Sequence, residues 1–257
     1  MQLPHARFAC ILVIINYHTF WEITMHRAIV ALIAIAALPQ LAIAQENAVG
    51  YQVETSSGVS FPTQITIPGG GATHVLAGAG VRTKTFLKVK VYAFGIYVDE
   101  EPARNALSSY VDRTSRDLSR DESFYERILE MDFGMTLMLV MTRDVGGDDM
   151  ADAFDGALRP RVQRAAAEMN MPGGEAVLDT FRGYFSVDEM TDESEMVFSC
   201  TPDGTLRTLV KGEPAPDLQS EALCWALFDV YLGERPISKK GKEKVVQNFP
   251  NILARGN

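Results

Sequence analysis

The run "RILEMDFGMTLMLVMTRDV", Arg127 to Val145, holds towards its end a stretch, "MTLMLVM", whose apolar residues do not alternate with polar ones. A strand with one face in water alternates, so a run apolar on both faces reads as a buried central strand. The rest of the chain has to be arranged around it. From Tyr51 to Ile67 the pattern is short and alternating, and "VSFPTQITIPGGG" suggests hairpin strands closed by a glycine turn. "KTFLKVKVYAFGIYVD", Lys84 to Asp99, is rich in β-branched and aromatic residues and reads as a long strand pair bent near Gly95. Two more strands flank the Asp203-Gly204 turn.

Elsewhere the period changes. Pro102–Tyr110 reads as a short helix. Met150, Phe154, Ala157, Leu158 and Val162 recur at helical spacing, with Asp148 and Asp149 where an N-cap and first-turn carboxylates belong. Helices are also expected at Glu175–Tyr184, over "SEALCWALFDVYLGE", which Gly233 stops, and over "SKKGKEKVVQNF". Strands first and helices interleaved later predict an α+β fold, with helices packed on an antiparallel sheet.

The beginning of the chain is treated apart. "MHRAIVALIAIAALPQLAIAQENA" starts at Met25 with a His-Arg pair, continues in an apolar run from Ala28 to Leu38, and ends in Ala42-Ile43-Ala44. That sequence of features is a secretory signal peptide with cleavage after Ala44. Its apolar core is shorter than the about 20 residues a membrane span needs. Residues 1–44 are therefore read as a leader with its true start at Met25, and residues 45–257 as one domain of an exported, periplasmic or secreted protein. Cys10 falls in the leader, which leaves Cys200 and Cys224. An oxidising compartment permits a disulfide, and two separate buried thiols fit the pattern equally well.

A formal charge of −9 and the lack of any basic run argue against nucleic acid or an anionic membrane surface as partner. His74 is the one histidine of the mature chain and has no flanking nucleophile signature, so it reads as a sheet-surface residue. No His/Cys/Asp/Glu set has metal-ligand spacing: Asp148, Asp149 and Asp152 read as a solvated helix start and "DEMTDESE" as a solvated loop. "GAGVRT" imitates a dinucleotide-binding turn, but a strand follows where that motif needs a helix. No cofactor is expected.

"LAGAGVRTKTFLKVKVYAFGIYVD" resembles the signature of the chalcone isomerase superfamily: a glycine-rich turn, an arginine, then a strand ending in Gly-x-Tyr. "ALFDVYLGERPIS" is similar to that family's last long helix, and the likeness runs from about Val53 to the end. It implies an open-faced β-sandwich, a large antiparallel sheet under a helical layer with a buried cleft between them. The family includes chalcone isomerases, in which the arginine stabilises developing negative charge, and fatty-acid-binding relatives that hold a carboxylate without reacting it. On this resemblance Arg82 is the shared arginine. Tyr92 stands where the enzymes have a threonine and the binding relatives a tyrosine. Met150 or Ala151, and Ala157, replace the enzymes' tyrosine and asparagine, and Val230, followed by Tyr231, replaces their serine or threonine.

The resemblance thus implies non-catalytic binding of a fatty acid or similar apolar carboxylate by Arg82 and Tyr92. Tyr97 is a second donor or a structural residue, and Phe94, Met138, Met150, Phe154, Phe181 and Phe185 are the expected apolar lining. A planar guanidinium suits a carboxylate, and an apolar wall favours an acyl chain by about 0.8 kcal/mol per buried CH2. The alternatives are an isomerase-type intramolecular lyase with an altered site, and an interaction protein that keeps only the fold.

Overall fold

Met135–Met141 is the fourth strand of the large sheet, with pairing partners on both sides. The structure is a computed structural model and describes residues 50–67, 72–84 and 89–255. The expected leader, the glycine turn expected over residues 69–71, and residues 85–88 lie outside the described residues. The strands are β1 (Tyr51–Val53), β2 (Ser60–Pro62), β3 (Gln64–Thr66), β4 (Thr73–Lys84), β5 (Val89–Asp99) and β6 (Met135–Met141). They continue as β7 (Val145–Gly146), β8 (Glu189–Met190), β9 (Glu195–Cys200), β10 (Thr205–Val210), β11 (Glu213–Pro214) and β12 (Leu218–Gln219). The large antiparallel sheet runs β11-β10-β9-β6-β5-β4-β3, with β12 beside β10.

The helices are α1 (Glu100–Ala106), α2 (Ser115–Leu118), α3 (Glu122–Leu129), α4 (Gly147–Glu168), α5 (Glu175–Gly183), α6 (Glu221–Leu232), α7 (Lys239–Val245) and α8 (Phe249–Ala254). α4 buries Met150, Phe154, Leu158, Val162 and Ala165, one stripe at helical period. It begins at Gly147, so Asp148 and Asp149 are both first-turn carboxylates and neither is the N-cap. In α6 every residue from Ala222 to Leu232 is buried, because the helix lies between the sheet, α3 and α4. No described helix is long and apolar enough to cross a membrane.

The sheet carries a core on each face. Tyr92, Phe94, Ile96 and Val98 join the helical side, whereas Ala93, Tyr97, Met138 and Val140 join Phe61, Leu76 and Ala79 on the other. β2 supplies Phe61, and Gly95 exists for that ring: a Cβ there would sit 2.9 Å from Phe61 Cδ1. The register of Gly95 with Ala79 and Met138 is unbroken. Glu54, buried after β1, accepts Lys244 Nζ at 2.6 Å and the Ser57 backbone N–H at 2.7 Å. Burial alone would raise its pKa, but these bonds hold it down to about 2.

The glycines of "LAGAGVR" do not form a turn. They lie inside β4 because α7 crosses the strand there at backbone distance. A Cβ on Gly78 would sit 2.3 Å from the Lys244 carbonyl oxygen, and one on Gly80 2.7 Å from Gly241 Cα. Cys200, ending β9, and Cys224, in α6, are joined by a disulfide, which ties the sheet to its covering helix. By loop-closure arguments such a link contributes about 2–4 kcal/mol.

His74 is buried, not at the sheet surface. Its Nδ1 shares a 2.9 Å hydrogen bond with Thr136 Oγ1, which donates to Ser199 Oγ at 3.0 Å. Burial lowers its pKa from 6.5 to about 4. Between those values the unfolded chain takes up a proton that the folded chain refuses. The stability is therefore complete above the upper value and falls as pH drops, by about 3 kcal/mol at the lower one. Denaturant unfolding of the protein and of His74→Gln at pH 7.5 and pH 4.5 checks this. The variant should lose most of that pH slope, and equal slopes would refute it.

Candidate functional site

A cleft of about 570 Å³ opens between the helical layer and the end of the sheet formed by β4, β5 and the turn after β6. Its position follows from two local features. β4 and β5 slip register between Arg82 and Thr83, so Arg82 faces Tyr92 while Thr83 faces Lys90. Such a slip re-aims side chains, and Val91, Tyr92 and Val89 all reach the cleft wall. α4 and α6 supply the opposite wall, with Met150, Phe154, Ala157, Leu158, Leu227 and Val230.

Arg82 is half-buried in this wall. Its Nη1 donates to Tyr92 Oη at 3.3 Å, and its guanidinium lies 5.7 Å from the centre of that ring. Tyr92 Oη in turn shares a 2.9 Å hydrogen bond with Tyr231 Oη from α6. Tyr231 is held by Phe94, whose ring centroid lies 4.6 Å from its own. Phe94 fits because both neighbours are glycine: a Cβ on Gly80 or on Gly241 would meet Phe94 Cζ at 2.7 or 2.5 Å. The glycine-rich stretch thus places the tyrosine pair from behind. Burial pushes the Tyr231 phenol far above its ordinary pKa, so it stays a neutral donor.

Of the residues expected at the site, Arg82, Tyr92, Met150 and Phe154 meet at the cleft. Tyr97 and Met138 do not. They belong to the core on the other face of the sheet, where Tyr97 Oη donates to Met138 Sδ at 3.9 Å. Tyr97 is five residues from Tyr92 on one strand, and side chains alternate faces along a strand. Phe94 is a support behind Tyr231 and not lining. Phe181 and Phe185 pack on Phe154, with ring centroids at 5.8 and 4.7 Å, one layer away from the cleft. Tyr231, Leu227, Lys84 and Arg143 line the cleft as well, beyond the lining that the sequence points to. Tyr231 sits in a helix buried on every side, so periodicity could not distinguish it, and only its place after Val230 hinted at it.

The family model for chalcone isomerase-like proteins matches residues 72–246, from the start of β4 to just past α7. This chain belongs to the chalcone isomerase-like family. Fatty-acid-binding protein 1 of Arabidopsis thaliana is 24% identical over 238 residues, covering 90% of this chain and 79% of that protein. Chalcone–flavanone isomerase of Oryza sativa subsp. japonica is 26% identical over 207 residues, covering 76% of this chain and 88% of the rice protein. The crystal structure of an Arabidopsis thaliana fatty-acid binding protein (AtFAP1) superposes with a TM-score of 0.66 at 24% identity, covering 79% of this chain and 99% of the other. At that identity the superposition establishes the chalcone isomerase-like fold: a curled antiparallel sheet with helices over it. Its relatives include binders and isomerases, so the choice between them passes to the side chains.

Proposed function

We propose that the protein binds a fatty acid or similar apolar carboxylate in the cleft and does not transform it. The observation that carries this reading is the Arg82–Tyr92–Tyr231 chain facing the apolar wall that α4 and α6 give the cleft. Among the described residues Arg82 has a phenol for a partner and no carboxylate. A partly buried guanidinium in that state favours an incoming anion, and a phenol hydroxyl can donate to the same oxygens. The similarity to fatty-acid-binding proteins supports the ligand class. The resemblance puts the enzymes' helix tyrosine and asparagine at Met150 or Ala151 and at Ala157, and their last-helix serine or threonine at Val230, and none of these carries a hydroxyl or amide, which supports binding without turnover.

Native mass spectrometry before and after delipidation, followed by calorimetry with dodecanoate, tests the reading. A co-purifying fatty acid, or stoichiometric binding after its removal, is expected. A cleft that stays empty with every fatty acid offered would overturn it. Cyclisation of a hydroxychalcone is expected to be absent or very weak, since each lost partner of a reacting oxyanion costs roughly 10²–10³-fold. Turnover at ordinary enzymatic rates would favour the isomerase reading.

We also propose that the protein is exported and begins at Gln45 once the leader is removed. The leader pattern and the Cys200–Cys224 disulfide, a bond favoured in oxidising compartments, support this. N-terminal sequencing of protein from its native host decides it, and an intact leader in a soluble cytoplasmic fraction would sink the idea.

A further inference from the structure

Arg82 is not the only cation on the cleft wall. Lys84, two residues further along β4, and Arg143, just after β6, line the same space. Among the described residues none of the three takes part in an ion pair. Three aspartates line the same wall, and among the described residues none lies within ion-pair distance of these cations. Asp144 accepts the Asp192 backbone N–H at 2.7 Å, and Asp152 pairs with Arg182. Asp149 lies in the first turn of α4, where the helix's own N–H groups attract a carboxylate. A chain with a formal charge of −9 therefore gathers three unpaired cations at one cleft.

A monocarboxylate neutralises one of them. Side chains two apart on a strand start roughly 7 Å from each other, so a compact group held by Arg82 comes within reach of Lys84. Arg143 approaches from the other side of β5. We infer that the ligand is an amphiphile whose head group carries two negative charges, a phosphate monoester or a closely spaced dicarboxylate on an apolar chain. Arg82 and Tyr92 hold the inner oxygens, Tyr231 donating in turn to Tyr92, and Lys84 and Arg143 hold the outer ones. A phosphate monoester carries about −1.5 to −2 at neutral pH and accepts several charge-assisted bonds from Arg and Lys. The inference rests on the binding reading above and sharpens its ligand class.

The probes are dodecanoate, dodecyl phosphate and dodecylsuccinate, titrated calorimetrically into delipidated protein below their micellar concentrations. At least one dianion should bind tighter than dodecanoate by on the order of tenfold, the factor that about 1.4 kcal/mol represents. Which of the two does so separates the phosphate from the dicarboxylate. In Lys84→Gln/Arg143→Gln the preference should shrink to about twofold, with most of the loss falling on the dianion. Raising the salt concentration should narrow the gap in the natural protein and leave it nearly unchanged in the double variant. If dodecanoate binds and neither dianion binds tighter, this inference is wrong and the fatty-acid reading stands. If the double variant keeps the full preference, Lys84 and Arg143 are not the head-group residues and the inference is also wrong. If none of the three binds, both readings fall together.

Discussion

Arg82→Ala should weaken dodecanoate binding by about 2–5 kcal/mol, the scale of removing one partner of a desolvated charge pair. The melting temperature of the empty protein should move by no more than a few degrees. The asymmetry follows from what Arg82 touches. Its described partner is the Tyr92 hydroxyl at 3.3 Å, and its removal strands no described carboxylate. The Tyr92–Tyr231 bond at 2.9 Å survives it. Tyr92→Phe should cost less, about 1–3 kcal/mol of affinity, because the cation remains while a hydrogen bond to the ligand goes. An arginine fixed structurally would behave in the opposite way. Calorimetry and a melting curve on the same sample of Arg82→Ala measure both quantities. Unchanged affinity together with a large drop in melting temperature would show that Arg82 supports the fold and does not hold a ligand.

The largest loss of stability should come from Asp229→Ala, about 3–5 kcal/mol, the cost of removing one side of a buried ion pair. Asp229 sits near the end of α6, and its carboxylate accepts Arg161 Nε at 2.7 Å and Arg164 Nη2 at 3.1 Å. The exposures decide the magnitude: the side chains of Asp229 and Arg161 are 7% and 16% exposed, against 42% for Arg164. With Asp229 gone, Arg161 cannot turn to water cheaply, because its other nitrogens donate to the Ala157 and Arg235 carbonyls at 2.7 and 2.9 Å. Arg164 can turn outward, so Arg164→Ala should cost about 1 kcal/mol or less. Denaturant unfolding of both variants provides the comparison. Equal losses, or a loss under about 1 kcal/mol for Asp229→Ala, would mean that the trio behaves as an ordinary surface cluster. Asp229 is also two residues from Tyr231, so the variant's dodecanoate affinity should fall modestly as the end of α6 loosens.

The correct expectations share a cause. Met135–Met141 is uniformly apolar because it is paired on both sides and covered on both faces, and α4 shows a helical stripe because one side of it packs inward. Local patterns of this kind report burial directly. The failures also share a cause. The glycines at Gly78 and Gly80 look like a turn locally, and only the crossing of α7 explains them. His74 looks like a surface residue until Thr136 and Ser199 are seen beside it. Tyr97 could have been placed correctly by counting parity from Tyr92, whereas Met138 needed the register of β6 against β5.

The amino-acid order by itself determined the central strand, the stripe of α4 and the α+β class, since each rests on residues near one another in the chain, and the resemblance it carries pointed to the family and to Arg82 and Tyr92. The tertiary structure alone decided which face each aromatic serves, that Cys200 reaches Cys224, and that Tyr231 completes the pair from 139 residues away. It also decided that Lys84 and Arg143 share the cleft with Arg82. Those outcomes depend on strand register, helix crossing and desolvation, which are properties of contacts between distant segments. A contact between distant segments leaves no period in either one.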